Sequence, residues 1–218
     1  MDDCWRVIGI DVGYSNLALV VCDVDKEDYE ITTVFSKMTD LRRIHCQDDD
    51  CMFERHDRKG AHLVHHFIKS MHGWFDSADQ IVIEAQPITS THKDIEQLLV
   101  YLLKMWYSVP KNKPKNHVRL LAPRSMHAHF CMSGEKETRR IQIVEITRKY
   151  LEHQPAFIKY KQKDHLGDAM GYILFYVQVI MPDVMHSFKP NPFASFNFDA
   201  SAMGPWSRLS ACSQTSEG

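Results

Sequence analysis

The sequence predicts an α/β domain whose mixed β-sheet carries helices on both faces. Three observations point there: strand-like segments separated by turn residues at the start, a later alternation of strands with amphipathic helices, and 44% hydrophobic residues among 218. That order gives antiparallel strands first and helix-connected strands afterwards.

Residues 6–11 alternate and are rich in Val and Ile; Gly13-Tyr14-Ser15-Asn16 supplies a turn, and residues 17–22 are apolar again, so a β-hairpin is expected. Residues 29–35 read as a third strand. Between 58 and 75, Leu63, Phe67 and Met71 share one helical face, which predicts an amphipathic helix. Residues 80–84 form a short buried strand before Pro87. A second helix covers 94–108, capped by Thr91 or Asp94 and stopped near Pro110. Residues 118–121 are a further strand, and two long helices, 137–152 and 164–180, flank a connection containing Pro155. Residues 1–186 read as one domain. Residues 187–218, with Pro190, Pro192 and Pro205 among Ser, Ala, Asn and Gly, read as a tail that is loop or partly disordered.

Composition excludes several classes. Apolar runs such as 173–181 are far shorter than the ~20 residues of a membrane span, and the acidic start Met1-Asp2-Asp3 is not a signal peptide. A soluble, intracellular protein is expected, with its 6 Cys as reduced thiols or metal ligands. The net charge of −2 conceals an asymmetry: residues 104–163 hold 14 Lys and Arg against 4 Asp and Glu. That basic stretch suits a polyanion, although a solvated helix face accounts for the same charges.

Carboxylates stand where apolar side chains are expected. Asp11 closes one strand, Glu84 closes another, and Asp164 and Asp168 open a helix. Each location is costly for an unpaired charge, whereas a divalent cation neutralises a group of them. Helical geometry sets Asp164 and Asp168 about 40° apart and His165 and Asp168 about 60° apart, so all three can face one site. Singly, Asp11 could be a turn residue, Glu84 the partner of a buried Arg, and Asp164 an N-cap.

Ile8-Gly9-Ile10-Asp11-Val12-Gly13, Ile81-Val82-Ile83-Glu84-Ala85-Gln86-Pro87 and Lys161-Gln162-Lys163-Asp164-His165-Leu166-Gly167-Asp168-Ala169 together resemble the three acidic motifs of RuvC-type Holliday-junction resolvases, in the branch found in poxviruses and other large DNA viruses. Ala122-Pro123-Arg124-Ser125-Met126-His127 and Thr138-Arg139-Arg140 resemble the same branch. The resemblance implies an RNase H-like fold, a homodimer, two Mg²⁺ or Mn²⁺ ions per site, and paired nicks across a four-way DNA junction. It places the protein where viral DNA replicates. Asp11, Glu84 and Asp168 match the metal-binding acids. Where the family has a fourth acid three residues before Asp168, this chain has His165; His165 and Asp164 both remain candidates. Lys163 or Lys161 would stabilise transition-state charge, or be a solvated basic pair. Lys111, Lys113, Lys115, Arg124, Arg139, Arg140 and Lys161 are the expected DNA contacts.

His45, Cys46, Cys51 and His56 could complete a structural Zn²⁺ site, although the spacing is not that of a zinc finger and a solvated acidic loop is the favoured account. The helix-spaced His62 and His65 or His66 read as surface. Two other functions fit parts of the chain: a non-catalytic branched-DNA-binding protein, and an actin-like phosphotransferase domain suggested by Ile10-Asp11-Val12-Gly13-Tyr14-Ser15-Asn16.

Overall fold

The computed structural model describes residues 3–44, 60–111, 113 and 117–182. Strands β1 (Cys4–Asp11), β2 (Leu17–Asp25) and β3 (Ile31–Thr39) form an antiparallel meander, followed by helices α1 (Gly60–Ser70) and α2 (His72–Ser77). Strand β4 (Gln80–Glu84), helix α3 (Lys93–Leu103), strand β5 (Val118–Leu121) and helices α4 (Pro123–His129), α5 (Lys136–Leu151), α6 (Pro155–Lys159) and α7 (Asp164–Phe175) follow. The sheet order is β3-β2-β1-β4-β5, with β4 parallel to both β1 and β5. The mixed sheet is the one the segment order predicts.

Alternation along the strands divides the core. Ile8, Ile10, Leu17, Leu19, Ile81 and Ile83 face α1, α2 and α3, while Val7, Ala18, Val20 and Val82 face α5 and α7. Burying each such side chain contributes about 1.5–3 kcal/mol, so both layers are needed. Gly9 lies on the α7 side, where a Cβ would overlap the Ala169 carbonyl oxygen. Only glycine lets the helix backbone rest directly on β1. At Gly171, between α7 and α5, a Cβ would stand 2.8 Å from the tip of the Ile143 side chain, which would have to move aside.

Several expected boundaries change. The single helix expected over 58–75 breaks at Met71, whose N–H bonds to the carbonyls of Phe67 and Ile68 and so tightens the end of α1. Neither Thr91 nor Asp94 caps α3; the helix begins at Lys93, and Asp94 accepts a 2.8 Å hydrogen bond from the Tyr14 hydroxyl. Helices α4 and α6 were not expected; each is short and starts with proline, whose fixed φ and missing N–H suit a first helical position. Residues 187–218 lie outside the described residues. Among the described residues no helix is long and apolar enough to cross a membrane.

Candidate active site

Strands β1 and β4 pair in parallel up to Ile10 opposite Ile83, so Asp11 and Glu84 come next, side by side at the strand ends. By alternation Asp11 follows Val7 and Gly9, and Glu84 follows Val82, onto the face covered by α7. The close approach at Gly9 lowers the first turns of α7 over those ends, which delivers Asp164, His165, Asp168 and Tyr172. All six side chains line one cavity of about 370 Å³.

Within it, His165 Nδ1 donates to Asp11 Oδ2 at 2.7 Å, and His165 Nε2 lies 3.3 Å from Asn16 Nδ2. A carboxylate against Nδ1 places a ring proton there, pointed at Asp11. Glu84 Oε2 accepts from the Gln86 amide at 2.6 Å and from the Val12 N–H at 3.4 Å, and the Glu84 and Asp11 carboxyls hydrogen-bond to each other. Burial, reinforced by the hydrogen bond and charge of Asp11, pushes the Glu84 carboxyl up to about 9. Burial first, then neighbouring acids, raises Asp11 and Asp168 to about 7. Tyr172, 1% exposed beneath them, is raised well above the usual phenol range by burial and by the same carboxylates.

Asp164 meets the basic side of the cavity, where Arg140 Nε lies 3.1 Å from its Oδ2. Lys136, Arg139 and Arg140 from the start of α5 form the basic wall of the cavity. The Arg139 guanidinium is braced by the carbonyls of Ser133 and Gly134. Glu96, 1% exposed, accepts from the Gln86 N–H and from Lys93 Nζ at 2.7 Å, fixing the loop after Glu84.

Of the residues singled out from sequence, Asp11, Glu84, Asp164, His165, Asp168, Arg139 and Arg140 converge. Others do not. Lys163 Nζ stands 4.7 Å over the Phe157 ring, Lys161 and Arg124 are exposed, and none of the three lines the cavity. Lys111 pairs with Asp76 at 2.7 Å and Lys113 with Asp79 at 3.7 Å, before the start of β4. That is the opposite end of the strand from Glu84, ~13 Å away at ~3.3 Å per residue. Lys115 and the zinc candidates His45, Cys46, Cys51 and His56 lie outside the described residues. His62 and His66 are not surface residues but 3% and 8% exposed. Lys136, Tyr172, Asn16 and Gln86 were missed. Lys136 precedes Arg139 by one helical turn, a spacing that puts both on one face; Tyr172 follows Asp168 by one turn and carried the same signal.

Among the described residues no three His, Cys, Asp or Glu donors already surround one point. The donor chemistry nevertheless fits a divalent cation. Asp11, Glu84 and Asp168 are hard oxygen donors whose charged form is disfavoured by burial and mutual repulsion, and a divalent charge offsets both costs.

No protein-family model matches the chain, and no curated protein matches it. Solved structures do. The fowlpox virus resolvase in complex with Holliday junction DNA aligns with a TM-score of 0.55 at 13% identity, over 81% of this chain and 99% of that one. The fowlpox virus Holliday junction resolvase crystallised separately aligns with a TM-score of 0.51 at 12% identity, over 79% and 97%. The yeast mitochondrial Holliday junction resolvase Ydc2 aligns with a TM-score of 0.56 at 17% identity, over 85% and 86%. The fold is therefore RNase H-like, in the form these junction resolvases share.

Proposed function

We propose that the chain is a structure-selective DNA endonuclease that resolves four-way junctions by paired symmetric nicks. The observation that carries this reading is the meeting, at one cavity, of the buried Asp11 of β1 and the half-buried Glu84 of β4 and Asp168 of α7 with the basic wall of α5. An acid cluster that takes hard cations beside arginines that take phosphate is the pairing phosphodiester hydrolysis needs. The RNase H-like fold shared with junction resolvases adds to it.

Asp11, Glu84 and Asp168 would hold Mg²⁺ or Mn²⁺, two ions per site, with His165 as the fourth member because it contacts Asp11 while Asp164 is committed to Arg140. The bound ions supply Lewis acidity to the attacking water and the departing 3′ oxygen. The protein does the rest. Gln86 and the Val12 N–H orient Glu84, Asn16 and Asp11 orient His165, and Lys136, Arg139 and Arg140 seat the scissile strand's phosphates. Asp164 holds the Arg140 guanidinium at the rim. Cleavage that leaves a 5′ phosphate and a 3′ hydroxyl yields ligatable nicks. Two symmetric nicks need two sites, so the acting species is a homodimer; its partner is branched DNA.

The test is cleavage of a labelled synthetic four-way junction with Mg²⁺, beside linear duplex of the same sequence and an Asp168→Asn control. Paired, ligatable nicks confined to the junction and absent from the control are expected. Tight junction binding with no metal-dependent nicking would replace this reading by that of a branched-DNA-binding protein.

A further inference from the structure

Gln86 stands two residues after Glu84 in the loop between β4 and α3, and hydrogen bonds fix it at three points. Its N–H donates to the buried Glu96, which is paired with Lys93 Nζ through both carboxylate oxygens, at 2.7 and 2.9 Å. Its side-chain Nε2 donates to Glu84 Oε2 at 2.6 Å, and its Oε1 accepts from the half-buried Ser90 hydroxyl at 2.9 Å. Ser90 Oγ in turn accepts the His92 N–H at 3.1 Å. The Ser90 backbone is held as well, its N–H by the Pro87 carbonyl and its carbonyl by the Lys93 N–H. Ser90, Lys93 and Glu96 do not line the acidic cavity, whereas Gln86 does.

We propose that Ser90 is a positioning residue of the carboxylate site: its hydroxyl sets which way round the Gln86 amide stands, and so holds Glu84 ready for a divalent cation. A primary amide presents an acceptor at one end and two donors at the other, and the two ends are nearly equal in size, so packing alone does not choose between them. Hydrogen bonds choose. With Oγ already accepting from the His92 N–H, Ser90 directs its single proton to Gln86 Oε1, and the donor end of the amide is left for Glu84. Reversed, the amide would set its oxygen against Glu84 Oε2 at that same close spacing, which repels the carboxylate a cation requires. The Val12 N–H falls on the same oxygen, so neither donor takes Glu84 Oε1. The backbone bond to Glu96 keeps Gln86 itself in place, which confines the effect of Ser90 to the orientation of one side chain. This role rests on the cation-binding reading of the site and adds to it a residue outside the cavity.

The test measures Mn²⁺ binding by the full chain without DNA, from the electron paramagnetic resonance signal of the free ion, beside Mn²⁺-supported cleavage of a four-way junction. Binding at the acid cluster is the part that Asp168→Asn removes. Ser90→Ala and Gln86→Met should each weaken that binding by about 10–100-fold, the range for groups that orient a metal ligand, and lower kcat at unchanged KM for the junction. The double variant should bind no more weakly than Gln86→Met alone, because Ser90 acts only through that amide. Wild-type Mn²⁺ affinity in Ser90→Ala, or costs that add in the double variant, overturns the role of Ser90 and leaves the nuclease reading intact. Absence of Mn²⁺ binding by the wild-type chain removes both. Should Ser90→Ala fail to fold by circular dichroism, the isosteric pair Ser90→Thr and Ser90→Val decides. The first, which keeps a hydroxyl, should bind like wild type and the second like Gln86→Met; equal binding overturns the proposal.

Discussion

Glu84 ends its strand in a place where a carboxylate is welcome only when protonated or metal-bound, and that sets its consequences. In unfolded chain the acids titrate near 4, whereas burial holds Glu84 near 9 and Asp11 and Asp168 near 7. The folded state therefore binds more protons between about pH 4 and pH 9, and stability falls as pH rises through that window. Metal-free protein is expected to lose Tm steadily from pH 5 to pH 9 in a thermal scan, and Mg²⁺ at pH 8.5 to restore much of it. Glu84→Gln mimics the protonated acid, so it should raise the metal-free Tm at pH 8.5, leave it near the wild-type value at pH 5, and abolish junction cleavage. Asp11→Asn should likewise abolish cleavage while junction affinity, read by gel shift, stays within a few-fold. His165→Ala removes the fourth member of the proposed metal site together with its 2.7 Å contact to Asp11; a loss of at least ~10–100-fold in cleavage rate at unchanged junction affinity is expected. That these acids matter was legible in the sequence, because a charge closing an apolar strand breaks the local pattern. That their titration is raised was not, since the shift depends on how α7 covers them and on their approach to one another.

At the scale of the element, α7 must lie directly on β1 for Asp168 to meet Asp11. Gly9→Ala forces its methyl into the Ala169 carbonyl, which neither backbone can yield cheaply. A destabilisation of at least ~3 kcal/mol by urea unfolding is expected, with cleavage lost even where the protein remains folded. The strands and the four longer helices were readable from periodicity. The break at Met71 was not, because it follows from where α2 docks rather than from a proline or a glycine at that position. Helices α4 and α6 are too brief to show a repeat; their only local mark is an initial proline after an extended residue. Thr91 and Asp94 looked like caps by type, yet the Tyr14 hydroxyl takes Asp94 and the helix starts earlier.

For the whole molecule the distribution of cations decides how DNA can lie. Two groups of cations between 104 and 163 stand at opposite ends of the sheet. Lys136, Arg139 and Arg140 stand at the acidic cavity, and Lys111 and Lys113 are engaged with Asp76 and Asp79 at the far end. Replacing Arg139 and Arg140 by Ala should weaken junction binding and lower the slope of log K against log salt by about 1 per residue. Replacing Lys111 and Lys113 by Ala should change either quantity little, and a comparable loss there would move the DNA path to the opposite end. By itself the sequence determined the α/β order of segments, the acids at strand ends and helix start, and the presence of a basic third, because each is a local departure from a period of 2 or 3.6 or a simple count. Only the tertiary structure decided which cations meet those acids, that Asp164 faces Arg140 while His165 faces Asp11, and that His62 and His66 are buried. Those outcomes depend on strand pairing and helix docking between residues far apart in the chain, and charge or spacing along one segment carries no direction in space.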